Sequence, residues 1–567
     1  MPTPRTFFFQ VLYRSFLPAA LFLLLSGLGY ADPARWDDIE PDEAEIIVEE
    51  MTDTELLGQV LMLGYDGTVP SPEILEWIRE GRIGGIKIFG WNVGSLPGLA
   101  RSIARMQRAA SETPKGIPLF IATDQEGGWV RHIKEETSIT AGNMAIGATR
   151  LPRDAYFTGY YIGRELRTLG VNMNFAPTVD VYTNPEAHVI GPRAFSSDPL
   201  ETARLAVAYF RGLDATGVIA TAKHFPGHGR ADVDSHGALP LIDATLEDLW
   251  ETDLLPYRFL VREGLPAIMG GHLGFPGITG KIEPATLSSY FQTEILRNRL
   301  GFEGIAITDD LRMSGVADTG DPLEDIALKA LDAGNDVLMI SRTPEEHEMI
   351  WERLHREMRA SPSFRAKILE AAKRILRIKI AYLKSPDAVP LYPDPDEVRS
   401  VIPDPEARDF FFELACRSVS LISGDSLPLT SDRLGRVLLA GQYRRFLDAG
   451  KARFPEADTY YFSYEPFHTA VRAEKERFTR LAGNYDTVIF CLANPNSLEI
   501  LETLSETDVR VIVFSVLSPV YLDEIEWADT AIAVYGTGNE SFTAGFAVLS
   551  GDYEPEGTLP VSIEGRR

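Results

Sequence analysis

Eight short apolar runs alternate with helical stretches between Leu56 and about Ile340, and this alternation limits the architectures open to the chain. The runs are Leu57–Gly64, Gly85–Phe89, Pro118–Thr123, Val171–Ala176, Val218–Lys223, Ala267–Gly271, Gly304–Thr308 and Asp336–Ile340. Segments such as Ser71–Arg79, Leu99–Ala110, Asp154–Leu169 and Leu200–Ala215 carry helical periodicity. Repeated βα units imply a parallel sheet. Eight of them in roughly 300 residues fit a closed (β/α)8 barrel better than an open sheet. Strands of such a barrel are buried on both faces, which explains why these runs are almost continuously apolar.

Polar residues sit where these runs end. Asp124 follows the third, Asp180 and Arg193 the fourth, and His224, His272 and Asp309 mark the fifth, sixth and seventh. Barrels of this type build their active sites at the C-terminal ends of the strands. A purely structural barrel has no need of charge at so many of them.

The barrel is expected to close with a basic helix around Phe364–Leu383. The proline-rich, acidic stretch Ser385–Pro405 reads as a semi-rigid linker. Beyond it, Glu406–Val419 looks helical, and Val437–Ala440, Thr487–Leu492, Val509–Phe514 and Thr530–Val534 look like strands of a smaller α/β domain. At the other end, Arg5 and Arg14 form a positive region ahead of an apolar segment, Phe16–Gly29, which is followed by a plausible cleavage site after Ala31. The division expected is therefore a signal peptide (1–31), a catalytic barrel (32–384), a linker (385–405) and a C-terminal domain (406–567). The protein would be exported to the periplasm or the medium, with an uncleaved signal-anchor as the alternative.

A formal net charge of −27 argues against nucleic acid or an anionic membrane as partner, but does not bear on a neutral sugar. Of the two cysteines, Cys416 and Cys491, both lie in apolar contexts and read as buried free thiols rather than a bridge. A monomer without metal or cofactor is expected.

Chemistry concentrates in two places. The stretch Thr221–Pro240 holds His224, His228 and His236 with Lys223 and Asp234, and only Val233 is apolar enough to call for burial between Gly227 and Gly237. It reads as a long, mobile polar loop. Three histidines and an aspartate could hold zinc, but their spacings of four and eight lack a helix to align them. The favoured reading is acid/base work by Asp234 and His236, the carboxylate fixing the tautomer of the ring and raising its basicity. In the second place, the apolar strand Gly304–Thr308 delivers Asp309 and Asp310 to the barrel mouth. Glycoside cleavage needs an anionic group near the anomeric carbon, whereas an aspartate after a strand commonly caps a helix. Chemistry is assigned to Asp309, and capping or support to Asp310.

The motifs DQEGGWV (Asp124–Val130), NFAPTVDV (Asn174–Val181), GPRAFSSDP (Gly191–Pro199), KHFPGHG (Lys223–Gly229), DSH (Asp234–His236) and TDDLRM (Thr308–Met313) follow one another in this order. Together they resemble glycoside hydrolase family 3, specifically its β-N-acetylglucosaminidase branch, over about Leu56 to Leu383. The ending GTLPVSI (Gly557–Ile563) resembles, more weakly, the second domain of longer members. The resemblance implies that Asp309 is the nucleophile, His236 the acid/base and Asp234 its partner. It implies that Asp124, Arg193, Lys223 and His224 hold the non-reducing sugar through its hydroxyls. It further implies a cofactor-free release of N-acetylglucosamine from cell-wall muropeptides or chitin-like oligomers. One position departs: Trp129 stands where the family usually has arginine, with Arg131 two residues on.

The expected reaction is a retaining double displacement. Because a histidine base does not repel an anionic acceptor, a phosphorylase is the rival enzyme. A catalytically silent sugar-binding protein on the same barrel is the rival from another class.

Overall fold

The computed structural model describes residues 41–562 except 318, 342–343, 425–426 and 464–467. The expected signal peptide (1–31) lies outside the described residues. No helix among the described residues is long and apolar enough to cross a membrane.

All eight expected barrel strands are present: Leu61–Leu63, Gly85–Ile88, Phe120–Thr123, Met173–Asn174, Ile219–Phe225, Ala267–Gly270, Ile305–Thr308 and Leu338–Ile340. They pair in parallel in chain order, and the eighth returns to the first through Leu61–Leu338. A bridge between Ile307 and Val337 and a bond from Thr308 N–H to the Val337 carbonyl (3.0 Å) close the remaining seam. The first strand is shorter than its apolar run suggests. Thr52 and Glu55 form a capping box that starts the helix Asp53–Gln59, so Leu56 and Leu57 are buried from a helix and not from a strand.

The helices begin where capping chemistry and proline place them. Ser71 precedes Pro72–Arg79, Ser95 precedes Leu96–Ser111, and Asp198 caps Pro199–Asp214 with its carboxylate on the N–H groups of Leu200 and Glu201. The helix Pro152–Leu169 ends on Gly170 at φ 81°, a left-handed conformation that glycine adopts without steric cost. A Cβ there would also lie 2.8 Å from Pro393 Cγ, because the proline-rich stretch runs directly over this point.

That stretch is not a free spacer. It contains the helix Pro395–Val401, capped by Asp394, and Val389, Val398 and Ile402 are buried. Asp404 caps the next helix, Pro405–Ser418, and its carboxylate also binds Arg164 of the barrel. The few apolar residues among its prolines are enough to fasten it down.

The C-terminal part holds a six-stranded sheet ordered Ser420–Ser423, Thr530–Tyr535, Arg510–Val516, Thr487–Leu492, Val437–Gly441 and Asp458–Tyr461. Only the first strand is antiparallel to its neighbour. The two strands without a sequence signal are the two edges, where exposed positions break the apolar run. Contacts tie this part to the barrel. Arg417 Nη2 lies 2.9 Å from buried Asp154 Oδ1, and the Pro560 carbonyl accepts from Ser196 Oγ (2.7 Å) and Ser197 N–H (3.0 Å). Cys416 and Cys491 are free and buried.

Candidate active site

A cavity of about 530 Å³ opens at the C-terminal ends of the barrel strands. Its walls include Asp124, Arg193, Lys223, His224, His236 and Asp309. Asp234, the remaining expected residue, reaches the site through His236.

Asp309 is set by the end of the strand Ile305–Thr308, where its N–H donates to the Gly270 carbonyl at 2.9 Å. Its Oδ1 accepts from the Asp310 N–H at 2.8 Å. Burial alone would raise this carboxyl, but His224, His272, the Asp310 N–H and Lys223 together hold it below the ordinary carboxylate value. The group stands as an anion at neutral pH. Asp310 also borders the cavity, but its Oδ1 accepts from the N–H groups of Arg312 (3.1 Å) and Ser341 (3.2 Å), a supporting role. His272, another strand-end residue, is fully buried and bridges Thr286 Oγ1 (2.8 Å) and the Asp310 carbonyl (3.0 Å). It braces the loop carrying Asp309.

His236 and Asp234 meet as a pair, Nδ1 to Oδ1 at 2.8 Å, on an exposed part of the loop. Burial works against the Asp234 anion, yet the backbone and side chain of His236 still lower its pKa. The loop is not polar and loose throughout. His228, Gly229, Ala231 and Ser235 are buried while Val233, its one large apolar residue, is 42% exposed. His228 donates its N–H to Asp180 Oδ1 (2.7 Å), and its Nε2 lies 3.2 Å from Ser235 Oγ. Burial beside His224 pushes its ring down to about 4, so it is neutral and serves as a brace. The loop root is thereby fastened, leaving the Asp234–His236 tip outside. Among the described residues, no three His, Cys, Asp or Glu side chains form a group that could hold a metal ion.

The opposite wall is a chain of alternating charges. Lys223 Nζ lies 2.5 Å from Asp124 Oδ1 and 2.6 Å from Glu126 Oε1. Arg193 binds Glu126 through two bonds of 3.0 and 2.9 Å, and its Nη2 lies 3.1 Å from His224 Nε2. Arginine donates only, so His224 carries its proton on Nδ1, which faces Asp180 Oδ2 at 2.7 Å. Burial opposes the anions, yet Arg193 and Lys223 pull Glu126 down to about 2, and His224 pulls Asp180 to about 2. Fixed donors and acceptors of this kind match a ligand rich in hydroxyls. Glu126, Lys87 and His132 join this wall without having stood out in the sequence. Lys87 had a signal, a charge inside the apolar strand Gly85–Ile88, and Glu126 lies within the DQEGGWV motif.

Trp129 does not face this cavity. With Arg131 it lines a second one, of about 470 Å³, between the barrel and Arg445, Leu517 and Tyr535 of the C-terminal part. The hairpin of Gln125–Gly127 and Val130–Arg131 divides the two spaces, with Val130 turned to the first.

The family model described as "Glycosyl hydrolase family 3 N terminal domain" matches residues 52–378. A β-hexosaminidase A of Pseudoalteromonas piscicida is 38% identical over 322 residues, 51% of this chain and 54% of that protein. The chain therefore spans about half the length of that relative. A β-hexosaminidase of Nitrosospira multiformis is 34% identical over 310 residues, covering 54% of this chain and 86% of its own. Among solved structures, a glycoside hydrolase family 3 β-N-acetylglucosaminidase from Paenibacillus sp. str. FPU-7 superposes with a TM-score of 0.80 at 28% identity, over 90% of this chain and 99% of that one. The match over the whole barrel and the charged walls of its mouth lead to one conclusion: this chain belongs to glycosyl hydrolase family 3.

Proposed function

We propose that the chain is a retaining glycoside hydrolase that releases terminal β-linked N-acetylglucosamine from cell-wall muropeptides or chitin-like oligosaccharides. The observation that carries this is the presence, in one cavity, of a carboxylate held anionic (Asp309) and a histidine paired with a carboxylate (His236 with Asp234). The names of the relatives, β-hexosaminidase and β-N-acetylglucosaminidase, support the sugar assignment.

In the first step Asp309 attacks the anomeric carbon while His236 gives its proton to the leaving oxygen. Asp234 stabilises the imidazolium form that makes this donation. In the second step the neutral ring takes a proton from water, which displaces Asp309 from the sugar. Asp124, Lys223, Arg193 and His224 hold the sugar by its hydroxyls, and Glu126 and Asp180 keep those groups in place. The protein is proposed to act after export.

The test is a chromogenic β-N-acetylglucosaminide, assayed beside disaccharide-peptides from cell wall, each with and without inorganic phosphate. Release of free N-acetylglucosamine at a rate independent of phosphate is expected. A product carrying phosphate would make the enzyme a phosphorylase, and no turnover of either substrate would leave a binding protein.

A further inference from the structure

Lys87 stands in the second barrel strand, Gly85–Ile88, and has no exposed surface. An ammonium has three N–H donors and no acceptor, and a buried one needs a partner for each. Lys87 Nζ has three neighbours at bonding distance: Asp124 Oδ2 at 2.6 Å, His132 Nδ1 at 3.0 Å and the Ile88 carbonyl at 3.1 Å. Two are oxygens that accept in any state. The ring nitrogen accepts only when it carries no proton. A proton on Nδ1 would point a second N–H at the ammonium, and its other acceptor, the Ile88 carbonyl, lies 3.4 Å away. The lysine inventory thus places the proton of a neutral His132 ring on Nε2. Burial and the adjacent Lys87 charge push this ring down to about 4, which keeps it neutral at working pH.

His132 lines the catalytic cavity, packs against Phe89 at a centroid distance of 5.6 Å, and lies beside Asp124, with Nδ1 3.7 Å from Asp124 Oδ2. Among the described residues, its Nε2 has no hydrogen-bond partner. The ring that carries this N–H neighbours the Asp124 carboxylate, and a donor and an acceptor on neighbouring side chains match the two faces of one hydroxyl group.

We propose that His132 is a substrate-contacting residue whose Nε2–H, fixed in place by Lys87, donates to the oxygen of a sugar hydroxyl that in turn donates to Asp124. Lys87 is the positioning residue. The assignment rests on the glycosidase reading and adds to it a device for recognising a hydroxyl at one ring position.

Two measurements test it. In protein labelled with 15N-histidine, the long-range proton–nitrogen pattern of His132 is identified by its disappearance in His132→Gln. It should be that of an Nε2–H tautomer at pH 7, and should become mixed in Lys87→Met. An Nδ1–H pattern in the wild type overturns the proposal, and this arm needs no substrate. The second measurement compares kcat/KM for an aryl β-N-acetylglucosaminide with its 3-, 4- and 6-deoxy analogues. One deoxy position should cost the wild type about 100-fold or more, His132→Gln nearly as much, and His132→Phe less than about fivefold. Unchanged deoxy penalties in His132→Phe at all three positions overturn the contact. If no aryl N-acetylglucosaminide turns over, the functional reading fails, and the tautomer spectrum alone decides the assignment.

Discussion

Asp234 Oδ1 accepts twice from His236, from the backbone N–H at 2.9 Å and from Nδ1 at 2.8 Å. The two residues close a small ring on their own, so the proposed acid/base pair is assembled within three consecutive residues and needs no other element to align it. The proton on Nδ1 is committed to Asp234, and Nε2 is left to exchange protons with the substrate. His236→Ala should therefore slow substrates with poor leaving groups by about 100-fold or more, and activated aryl glycosides far less, since only the former need protonation. Asp234→Asn should show the same ordering with a smaller loss. Kinetics across a series of aryl leaving groups checks this; equal losses for all would show that His236 binds substrate or holds the loop.

Asp309→Ala should abolish turnover, with kcat falling on the order of 1,000-fold or more. A 5-fluoro glycoside should leave a covalent adduct on Asp309, located by mass spectrometry of the peptides. Persistent turnover without an adduct would point to attack by the acetamide oxygen of the sugar in place of the enzyme.

Glu165 gives a prediction about stability. It is buried, accepts from Ser138 N–H and Oγ, and burial raises its carboxyl from 4.5 to about 7. A carboxyl raised on folding keeps its full contribution below its unfolded value and loses it as pH rises through the folded one. The window is thus pH 4.5 to about 7. Glu165→Gln lacks this loss. At pH 8 the variant should melt above the wild type, by roughly 2–3 kcal/mol in stability, with the gap shrinking towards pH 5. Melting temperatures at both values check it, and a gap that ignores pH would refute it.

The barrel was legible because its signal is periodic and repeated eight times, and a closed barrel forces polar strand ends to one face. Asp124, His224 and Asp309 could be found by that logic, since each stands on or just past a strand end, whereas His236 lies on the loop that follows the fifth strand. Lys87 escaped because it lies within a strand, where a charge is visible in the sequence but its partners, Asp124 and His132, come from another part of the chain. The stretch Ser385–Pro405 is packed more closely than its composition suggests. Its prolines and acids suggest a spacer, but three apolar side chains, Val389, Val398 and Ile402, hold it against the folded protein. The edge strands Ser420–Ser423 and Asp458–Tyr461 lack a continuous apolar run because partly exposed edges do not require one.

Trp129 lines the cavity that does not contain Asp309. Trp129→Ala should leave kcat/KM for a small aryl N-acetylglucosaminide within about twofold, as expected of a substitution away from the reacting atoms. Progress curves at several substrate concentrations check it. A rise in KM beyond tenfold would mean that the hairpin wall moves on binding and brings the indole to the sugar.

The C-terminal part adds no residue to the described lining of the Asp309 cavity, whose last member in the chain is Ser341. Its contacts with the barrel include the ion pair of Arg417 with Asp154, a carboxylate with no exposed side-chain surface. Removing Arg417 leaves this buried charge with only the exposed Arg153, whose Nε lies 3.9 Å from Asp154 Oδ1, and loss of one partner of a buried pair costs about 3–5 kcal/mol. Arg417→Ala should therefore lower the melting temperature while leaving kcat for a small aryl glycoside unchanged at temperatures well below unfolding. Arg417→Ala with Asp154→Ala should recover much of the lost stability, because no orphaned charge remains. Differential scanning calorimetry and initial rates on the three proteins separate the two effects. If Arg417→Ala suppressed turnover as severely as Asp309→Ala while the protein stayed folded, the catalytic machinery would extend beyond the barrel.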